Sequence, residues 1–359
     1  MARSLVHRLC LVAVLALGVP AGALAAGPAD ELGGTATAAT SWAAPQIASV
    51  VLAGVMGPDV ASFRPDDALT RGELHAAIRA LGKPHAAPAD PARLVTMREL
   101  DAQLVAAAGL LPSARAIRLA ARDGGLEPTD MLGTETVARL LGLRINHPID
   151  SEELERLPSD PASRAEAAYS LAKLRALDPA RIAAVREVAA TFVVPDLGTW
   201  EQQVLSRALR FVGFPYVFAG TSEKTQKLWS ATAPGNTVTV PGGFDCSGLV
   251  WRVFKLQAYD GAPALASVIR GRTTYAMSGE VVRSLRVDPA ALRPGDVLFF
   301  GTSGPRSKPS EISHSGISVG NGWFVHSSSA GVTLQPLQGW YAMRLAWARR
   351  PLAEAGLFV

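Results

Sequence analysis

The sequence has 359 residues, of which 48% are hydrophobic and 18% are charged, and its formal net charge is +4. This length is enough for about two domains with substantial apolar cores, and the apolar-rich composition excludes a chain that is disordered throughout. The only long apolar run in the sequence lies at the N-terminus, which argues against a membrane-spanning architecture.

Residues 1–25 have the pattern of a signal peptide. Two arginines precede an apolar stretch over residues 9–19 that is too short to span a bilayer, and Ala23-Leu24-Ala25 supplies small residues for a cleavage site. We therefore expect an exported protein with a flexible segment over residues 26–40 and no transmembrane segment after cleavage. An uncleaved membrane anchor is the alternative.

Residues 41–193 are predicted to form a mostly helical domain, because short apolar segments with helical spacing alternate there with Pro and Gly. A Thr/Ser-x-x-Glu pattern occurs three times in this part and forms a weak internal repeat. In such a capping box the hydroxyl accepts from the N3 amide and the glutamate accepts from the N-cap amide, so each pattern predicts a helix start. The three pairs are Thr70 with Glu73, Thr96 with Glu99, and Ser163 with Glu166.

The cysteine content is informative for an exported chain. Signal cleavage removes Cys10 and leaves Cys246 alone, so that no internal disulfide can form. Apolar residues at helical spacing follow Cys246, and Gly242-Gly243 precedes it, which places the sulfur at the first turn of a helix. The unpaired amides and the positive dipole end at that position predict a lowered pKa and a nucleophilic thiolate. An inert buried thiol is the alternative.

Two histidines in the second half can serve this thiol as a base and its orienting partner. The segments on either side of Asn321-Gly322 alternate like the strands of a hairpin, which places His314 and His326 as cross-strand neighbours on one face. One imidazole could then act as the base while the other fixes its tautomer. Two partly exposed histidines are one alternative; a zinc site is another, although this half offers no third histidine and no second cysteine.

Four segments of the second half, taken in order, resemble the motifs of the NlpC/P60 cysteine peptidases. They are residues 215–220, 244–250, 292–300 and 314–322, followed by His326 twelve residues after His314. The resemblance implies an α+β, papain-like domain over residues 194–359, with a central antiparallel sheet and a helix that carries the cysteine. Such enzymes hydrolyse cell-wall peptides without a metal or cofactor.

The same resemblance implies roles for individual residues. Cys246 is implied as the nucleophile, His314 as the general base and His326 as the residue that orients it. The substrate implied is a peptidoglycan stem peptide, cut between γ-D-glutamyl and a diamino acid by a secreted or wall-associated enzyme. A non-hydrolytic wall-binding module with the same fold, and an amidase or acyltransferase acting on a non-wall amide, are the alternatives.

A further set of residues is implied to line the substrate pocket, and it consists of Tyr216, Asp245, Ser247 and Arg272. Helix capping by Asp245 and Ser247, and simple packing of Tyr216, are the alternatives. The insertion over residues 222–243 and the loop over residues 301–312 depart from the family pattern beside the expected cleft, where they could narrow it.

The first half resembles an S-layer homology repeat around Trp42, Phe63 and the first capping box. Such repeats form a helical trefoil, and their arginine helps to bind an anionic secondary cell-wall polymer; Arg71 and Arg164 occupy that position. Residues 26–195 carry a net charge of −4 and residues 196–359 a net charge of +6, so the basic second half also suits an anionic target. No recognition motif favours nucleic acid as a partner. A purely structural helical domain is the alternative.

Overall fold

The computed structural model describes residues 37–144, 155–230 and 233–357, so the predicted signal peptide lies outside the described residues. The helices are α1 (Ala44–Leu52), α2 (Arg71–Ala80), α3 (Met97–Ala107), α4 (Leu111–Asp123), α5 (Leu132–Leu141), α6 (Arg164–Ala176), α7 (Pro179–Ala190), α8 (Thr199–Leu209), α9 (Cys246–Phe254), α10 (Leu265–Val268), α11 (Thr274–Gly279), α12 (Trp340–Arg344) and α13 (Pro351–Glu354). The strands are β1 (Thr221–Ser222), β2 (Gln226–Trp229), β3 (Thr237–Val240), β4 (Gly243–Phe244), β5 (Val297–Gly301), β6 (Ile312–Gly320), β7 (Trp323–Ser328), β8 (Gly331–Pro336) and β9 (Leu345–Arg349). Among these residues no single helix is long and apolar enough to cross a bilayer, and α3 and α4 reach that length only as a pair bent by 119°.

All three predicted capping boxes are confirmed, and they begin α2, α3 and α6. In each box the N-cap hydroxyl accepts from the glutamate amide, while the glutamate carboxylate accepts from the N-cap amide. The extended residues just before the three helices also pair with one another through the bridges Ala68 to Ser163, Thr70 to Leu94, and Thr96 to Pro161. Each of the three helix starts is therefore paired with the other two, although the third lies far from the others in sequence.

A five-stranded antiparallel sheet dominates the second half, with the strand order β8-β7-β6-β5-β9. Helix α9 packs on β6 and β7, and its Val250 and Val253 share one core with Ile317 and Val325 of the sheet. The opposite face of the sheet holds a smaller apolar cluster that includes Phe300 and is covered by α12. Both faces of the sheet are therefore covered, and the first turn of α9 lies against the sheet.

The described residues of the insertion over residues 222–243 include a pair of antiparallel strands. Strands β2 and β3 pair from Gln226 with Val240 to Trp229 with Thr237. Glu223 accepts from Arg252 at 2.9 and 2.7 Å, which ties the base of the insertion to α9. The insertion therefore has a defined position beside the cysteine-bearing helix.

The helical half contacts the sheet through α5, which packs against β8. Arg139 of α5 is buried and donates to the carbonyl of Gly213 at 2.6 Å and to the carbonyl of Ala330 in the β7–β8 turn. Glu135, one turn earlier, and Asp101 of α3 are fully buried beside it. This contact is a buried cluster of charges between the two halves of the chain.

The charge cluster predicts a pH dependence of stability. Burial and the nearby Asp101 raise the pKa of Glu135 to about 8. Because this folded-state pKa lies above the unfolded one, the group stabilises the fold most below pH 4.5 and loses that contribution as the pH rises through 8. We expect the free energy of unfolding to fall by up to about 2 kcal/mol between pH 6.5 and 8.5, as measured by urea denaturation.

The variant Glu135→Gln is the matched test of this dependence. Glutamine imitates the protonated acid and does not titrate, so the variant is expected to match the parent only below pH 4.5, and its advantage in stability is expected to grow by about 2 kcal/mol between pH 6.5 and pH 8.5. The buried histidines do not interfere, because their lowered pKa values confine their own contribution to lower pH. An equal fall in the stability of both proteins across this range would contradict the assignment to Glu135.

Candidate active site

Cys246 is the first residue of α9, as the sequence predicts. Asp245 is the N-cap and accepts from the amide of Gly248, so the cap fixes the first turn. A Cβ at Gly248 would collide with the carbonyl oxygen of Gly220, and glycine is therefore required where the helix start approaches the preceding loop. This close approach holds the sulfur at the point where the helix meets the sheet.

The predicted pocket residues cluster around the first turn of α9. Arg272 lies 3.2 Å from both carboxylate oxygens of Asp245 and donates to Ser247 Oγ at 2.7 Å and to the Ala219 carbonyl at 2.9 Å. Tyr216 forms a bridge with Phe244, two residues before the cysteine. The structure thus brings all four residues together, and Asp245 acts both as a helix cap and as the ion-pair partner of Arg272.

His314 and His326 lie on one face of the β6–β7 pair, and His314 Nε2 is 2.9 Å from His326 Nδ1. The predicted contact is confirmed, but the two residues are diagonal neighbours, because His326 pairs directly with Gly316. His326 Nε2 lies 3.4 Å from Thr333 Oγ1 on the adjacent strand, and that hydroxyl also donates to the Gly331 carbonyl. The imidazole pair therefore belongs to a chain of polar groups that crosses three strands.

Gly316 has no side chain, and the two histidines contact each other across the space that this leaves. A Cβ at this position would lie 2.8 Å from Phe324 Cδ2 and 3.1 Å from His326 Cβ, so the neighbouring side chains would have to move. If the chain has the peptidase activity that its sequence motifs imply, we expect Gly316→Ala to lower kcat about 10- to 100-fold by displacing His326. Gly279→Ala is the control, because a Cβ there meets only Pro309 at an ordinary 3.5 Å. Equal rates for the two variants, measured by product release, would contradict this role of Gly316.

Aromatic rings enclose the histidine pair. Phe324 stacks on His326 with centroids 4.5 Å apart and planes inclined by 13°. Tyr341 of α12 lies 4.8 Å from His326 and 5.7 Å from His314, centroid to centroid. Tyr341 was not predicted as a site residue, because it belongs to none of the motifs. The only signal in the sequence around it is that two aromatic residues, Trp340 and Tyr341, follow each other. Its ring covers the histidine face of the sheet.

Burial determines the charge state of the reacting groups. It lowers the pKa of His314 to about 4, and burial together with the nearby His314 holds the pKa of His326 well below its usual value, so both imidazoles are neutral at pH 7. Burial of the sulfur, followed by the charge of Asp245, raises the pKa of Cys246 to about 11. The expected lowering of the cysteine pKa is therefore wrong, because desolvation outweighs the amides at the helix start. The Cys246 thiol and both imidazoles are therefore neutral at pH 7.

The sulfur of Cys246 is nevertheless surrounded by polar groups. The backbone N–H groups of Ser315 and Ser247 and the Ser315 hydroxyl lie beside it, and all three favour the thiolate. The Tyr341 ring contacts both histidines, and its hydroxyl lies close enough to Cys246 for the thiolate charge, in addition to burial, to raise the pKa of Tyr341, so the nucleophile candidate and the base candidate belong to one site. A thiol and a hydrogen-bonded imidazole pair at one site can perform acyl transfer.

The two arginines predicted to bind wall polymer are ion-paired within the helical half. Arg71 Nη2 lies 2.7 Å from Glu99 Oε1, and Arg164 is paired with Glu73. Each arginine thus contacts the capping glutamate of another repeat. These pairs account for both arginines as links between the three helix starts, which is the structural role given above as the alternative.

A known family matches part of the second half of the chain. Residues 213–350 match the model of the NlpC/P60 family. A probable endopeptidase of Mycobacterium tuberculosis is 32% identical over 145 residues, which are 40% of this chain and 28% of that protein. The probable peptidoglycan endopeptidase LytE of Bacillus subtilis is 33% identical over 141 residues, covering 39% of this chain and 30% of the relative.

A third relative is named for the bond that it cleaves. The γ-D-glutamyl-L-lysine dipeptidyl-peptidase of Bacillus subtilis is 28% identical over 173 residues, which are 47% of each chain. This chain therefore spans 28% to 47% of the length of the three relatives. The family match covers both strands that carry the histidines and the helix that carries the cysteine.

Proposed function

We propose that this chain, whose residues 213–350 match the NlpC/P60 family, is a cysteine peptidase that hydrolyses peptide bonds in peptidoglycan. In this proposal Cys246 is the nucleophile, His314 the general base and His326 the residue that orients it. The observation that carries the proposal is the hydrogen-bonded histidine pair on β6 and β7, the two strands against which the cysteine helix packs. The predicted export would bring the enzyme to the cell wall.

The hydrogen-bond chain supports one direction of proton transfer. Because the Thr333 hydroxyl can donate to the Gly331 carbonyl, its oxygen is available to accept from His326 Nε2. His326 Nδ1 then accepts from His314 Nε2, which leaves His314 Nδ1 unprotonated. In this tautomer His314 Nδ1 is the atom that takes the thiol proton.

Catalysis then proceeds by two acyl transfers. Cys246 Sγ attacks the peptide carbonyl as its proton moves to His314 Nδ1, and the backbone N–H of Cys246 contributes to the oxyanion hole. The imidazolium protonates the leaving amine, the C–N bond breaks and a thioester remains. Water gives a proton to His314 and attacks the thioester, and the sulfur recovers its proton as the carboxylic acid leaves. The low pKa of His314 favours the protonation of the amine, since an imidazolium of lower pKa gives up its proton more readily.

The proposed substrate is a stem peptide, cut between γ-D-glutamyl and a diamino acid. The relative whose name specifies a γ-D-glutamyl-L-lysine bond supports this choice. Arg272, Asp245 and Ser247 provide ionic and hydroxyl groups next to Cys246 that suit a charged peptide rather than an apolar one. In this proposal they line the pocket together with Tyr216.

Digestion of purified sacculi tests the bond directly. We expect mass spectrometry to find new C-terminal D-glutamate and new N-terminal diamino acid in the released fragments. Cleavage at another peptide bond would contradict the assigned bond but keep the peptidase. Release of glycan-free stem peptides with an intact N-terminus would instead indicate an amidase, and binding without release would indicate a wall-binding module.

Binding of secondary wall polymer by the helical half is a separate prediction. A cavity of about 250 Å³ lies beside Arg71 and is also lined by His85 and Gln103, which favours a ligand there. We expect the protein to sediment with sacculi, and to do so less after the secondary polymer is stripped from them. Equal sedimentation with both preparations would contradict the prediction.

A further inference from the structure

Ser315 carries a hydroxyl that the rest of the fold does not use. The residue is fully buried in β6, and its Oγ has no hydrogen-bond partner among the residues that the structure describes. Buried hydroxyl groups normally have a partner, since desolvation is otherwise uncompensated. A second function for this hydroxyl is therefore expected at the place toward which it points.

The strand register places Ser315 on the face of the sheet that α9 covers. Ser315 pairs with Phe299, which belongs to the same core as Val250 of α9, whereas the neighbouring His314 pairs with Phe300 on the other face. By the alternation of side chains along a strand, Ser315 lies on the same face as Ile317. The Ser315 side chain therefore faces the cysteine helix while the imidazole of His314 faces α12.

The neighbouring strand fixes the position along the helix. Val325 of β7 pairs with Ile317, so Ser327, two residues later, lies on the helix-facing side next to Ser315. Ser327 Oγ donates to the carbonyl of Phe244 at 2.5 Å, and Phe244 precedes Cys246 by two residues. Ser315 thus lies at the first turn of α9, where its hydroxyl and its amide face the sulfur.

We propose that the Ser315 hydroxyl is a catalytic hydrogen-bond donor to the Cys246 sulfur, used when the thiolate forms. This inference rests on the proposed function of Cys246 as the nucleophile. The thiol proton moves to His314 Nδ1, and the Ser315 O–H then donates to the negatively charged sulfur. When the S–C bond forms, the sulfur loses its charge and the hydrogen bond weakens. A hydrogen bond that is donated only to the thiolate, and not to the thiol, lowers the free-energy barrier to forming the thiolate.

The pH dependence of alkylation of Cys246 by iodoacetamide tests this role. The rate is followed by mass spectrometry on the peptide that contains Cys246, in the parent and in Ser315→Ala, Ser315→Thr and Ser318→Ala. Loss of a hydrogen bond to a charged group predicts a rate about tenfold lower at pH 7.5 for Ser315→Ala, with its profile moved to higher pH. Ser315→Thr keeps the donor and is expected to stay within about threefold of the parent.

Ser318→Ala is the matched control, because Ser318 is a buried serine of the same strand whose hydroxyl has its own partner in the amide of Gly320. Its profile is expected to equal that of the parent. The melting temperature of Ser315→Ala is expected not to fall, since no hydrogen bond of the resting protein is removed.

An unchanged alkylation profile for Ser315→Ala, with Cys246 still reactive, would overturn the role of Ser315 and leave the peptidase proposal intact. A lower melting temperature with an unchanged profile would have the same meaning, because the residue would then be only structural. A Cys246 that resists alkylation at every pH in the parent, together with no product from sacculi, would overturn the proposed function itself.

Discussion

Replacing Cys246 by Ala is expected to lower the release of peptide fragments from sacculi about 10⁴-fold or more. The reason is that the acyl-enzyme cannot form without the sulfur, and a single missing member of such a catalytic set removes most of the rate enhancement. The measurement is chromatography of soluble fragments over time, with enough enzyme to detect residual turnover. The binding of sacculi is expected to persist, since the pocket residues around α9 are unchanged.

Cys246→Ser provides the matched control for shape. Its hydroxyl fills the space of the thiol but is far less acidic and less nucleophilic, so we expect activity as low as that of the alanine variant. Melting temperatures within a few degrees of the parent would show that both variants fold. Fragment release at the parent rate by the alanine variant would assign the reaction to another site or another protein.

Replacing Arg139 by Met is expected to lower the free energy of unfolding by about 3–5 kcal/mol. The substitution removes the donors to the Gly213 and Ala330 carbonyls and the guanidinium beside Glu135, whereas Asp101 keeps Arg144 at 3.4 Å. At pH 7 the raised pKa keeps Glu135 protonated, so the cost arises mainly from the two lost hydrogen bonds of the guanidinium, which are worth about 1.5–3 kcal/mol each. Urea denaturation at pH 7 measures the difference.

Arg118 of the adjacent helix α4 offers the control for this change. It forms an ion pair with Asp130, whose side chain is fully exposed, so Arg118→Met is expected to cost less than about 1 kcal/mol. A difference between the two variants of less than about 1 kcal/mol would contradict the role given to Arg139. We also expect Arg139→Met to lower peptidase activity, since Ala330 follows the strand that carries His326.

Local sequence signals predicted the features that depend on neighbouring residues. The capping boxes of α2, α3 and α6 and the position of Cys246 in α9 follow from hydrogen bonds that span three residues. The β6–β7 hairpin follows from Asn321-Gly322, and it brings His314 and His326 together. These predictions are confirmed because the physical cause lies within a few residues of the effect.

The features that depend on distant residues were not predicted or were predicted wrongly. The pKa of Cys246 is raised because the fold buries the sulfur and desolvates it. The residues around the helix start do not indicate this burial, because the strands that cause it lie elsewhere in the sequence. The ring of Tyr341 reaches the histidines from α12, and Arg139 bonds to residues 74 and 191 positions away in the chain. Burial and long-range contacts set these properties, so no local pattern indicates them.

The contact between α5 and the sheet has a consequence for protein engineering. Expression of residues 194–359 alone would deprive the carbonyls of Gly213 and Ala330 of their guanidinium donor and would bring the covered side of β8 into water. We expect such a fragment to be poorly soluble. A fusion protein that contains this fragment would therefore also need α5. A fragment intended for transfer into another protein therefore has to be longer than residues 213–350, the segment that matches the family.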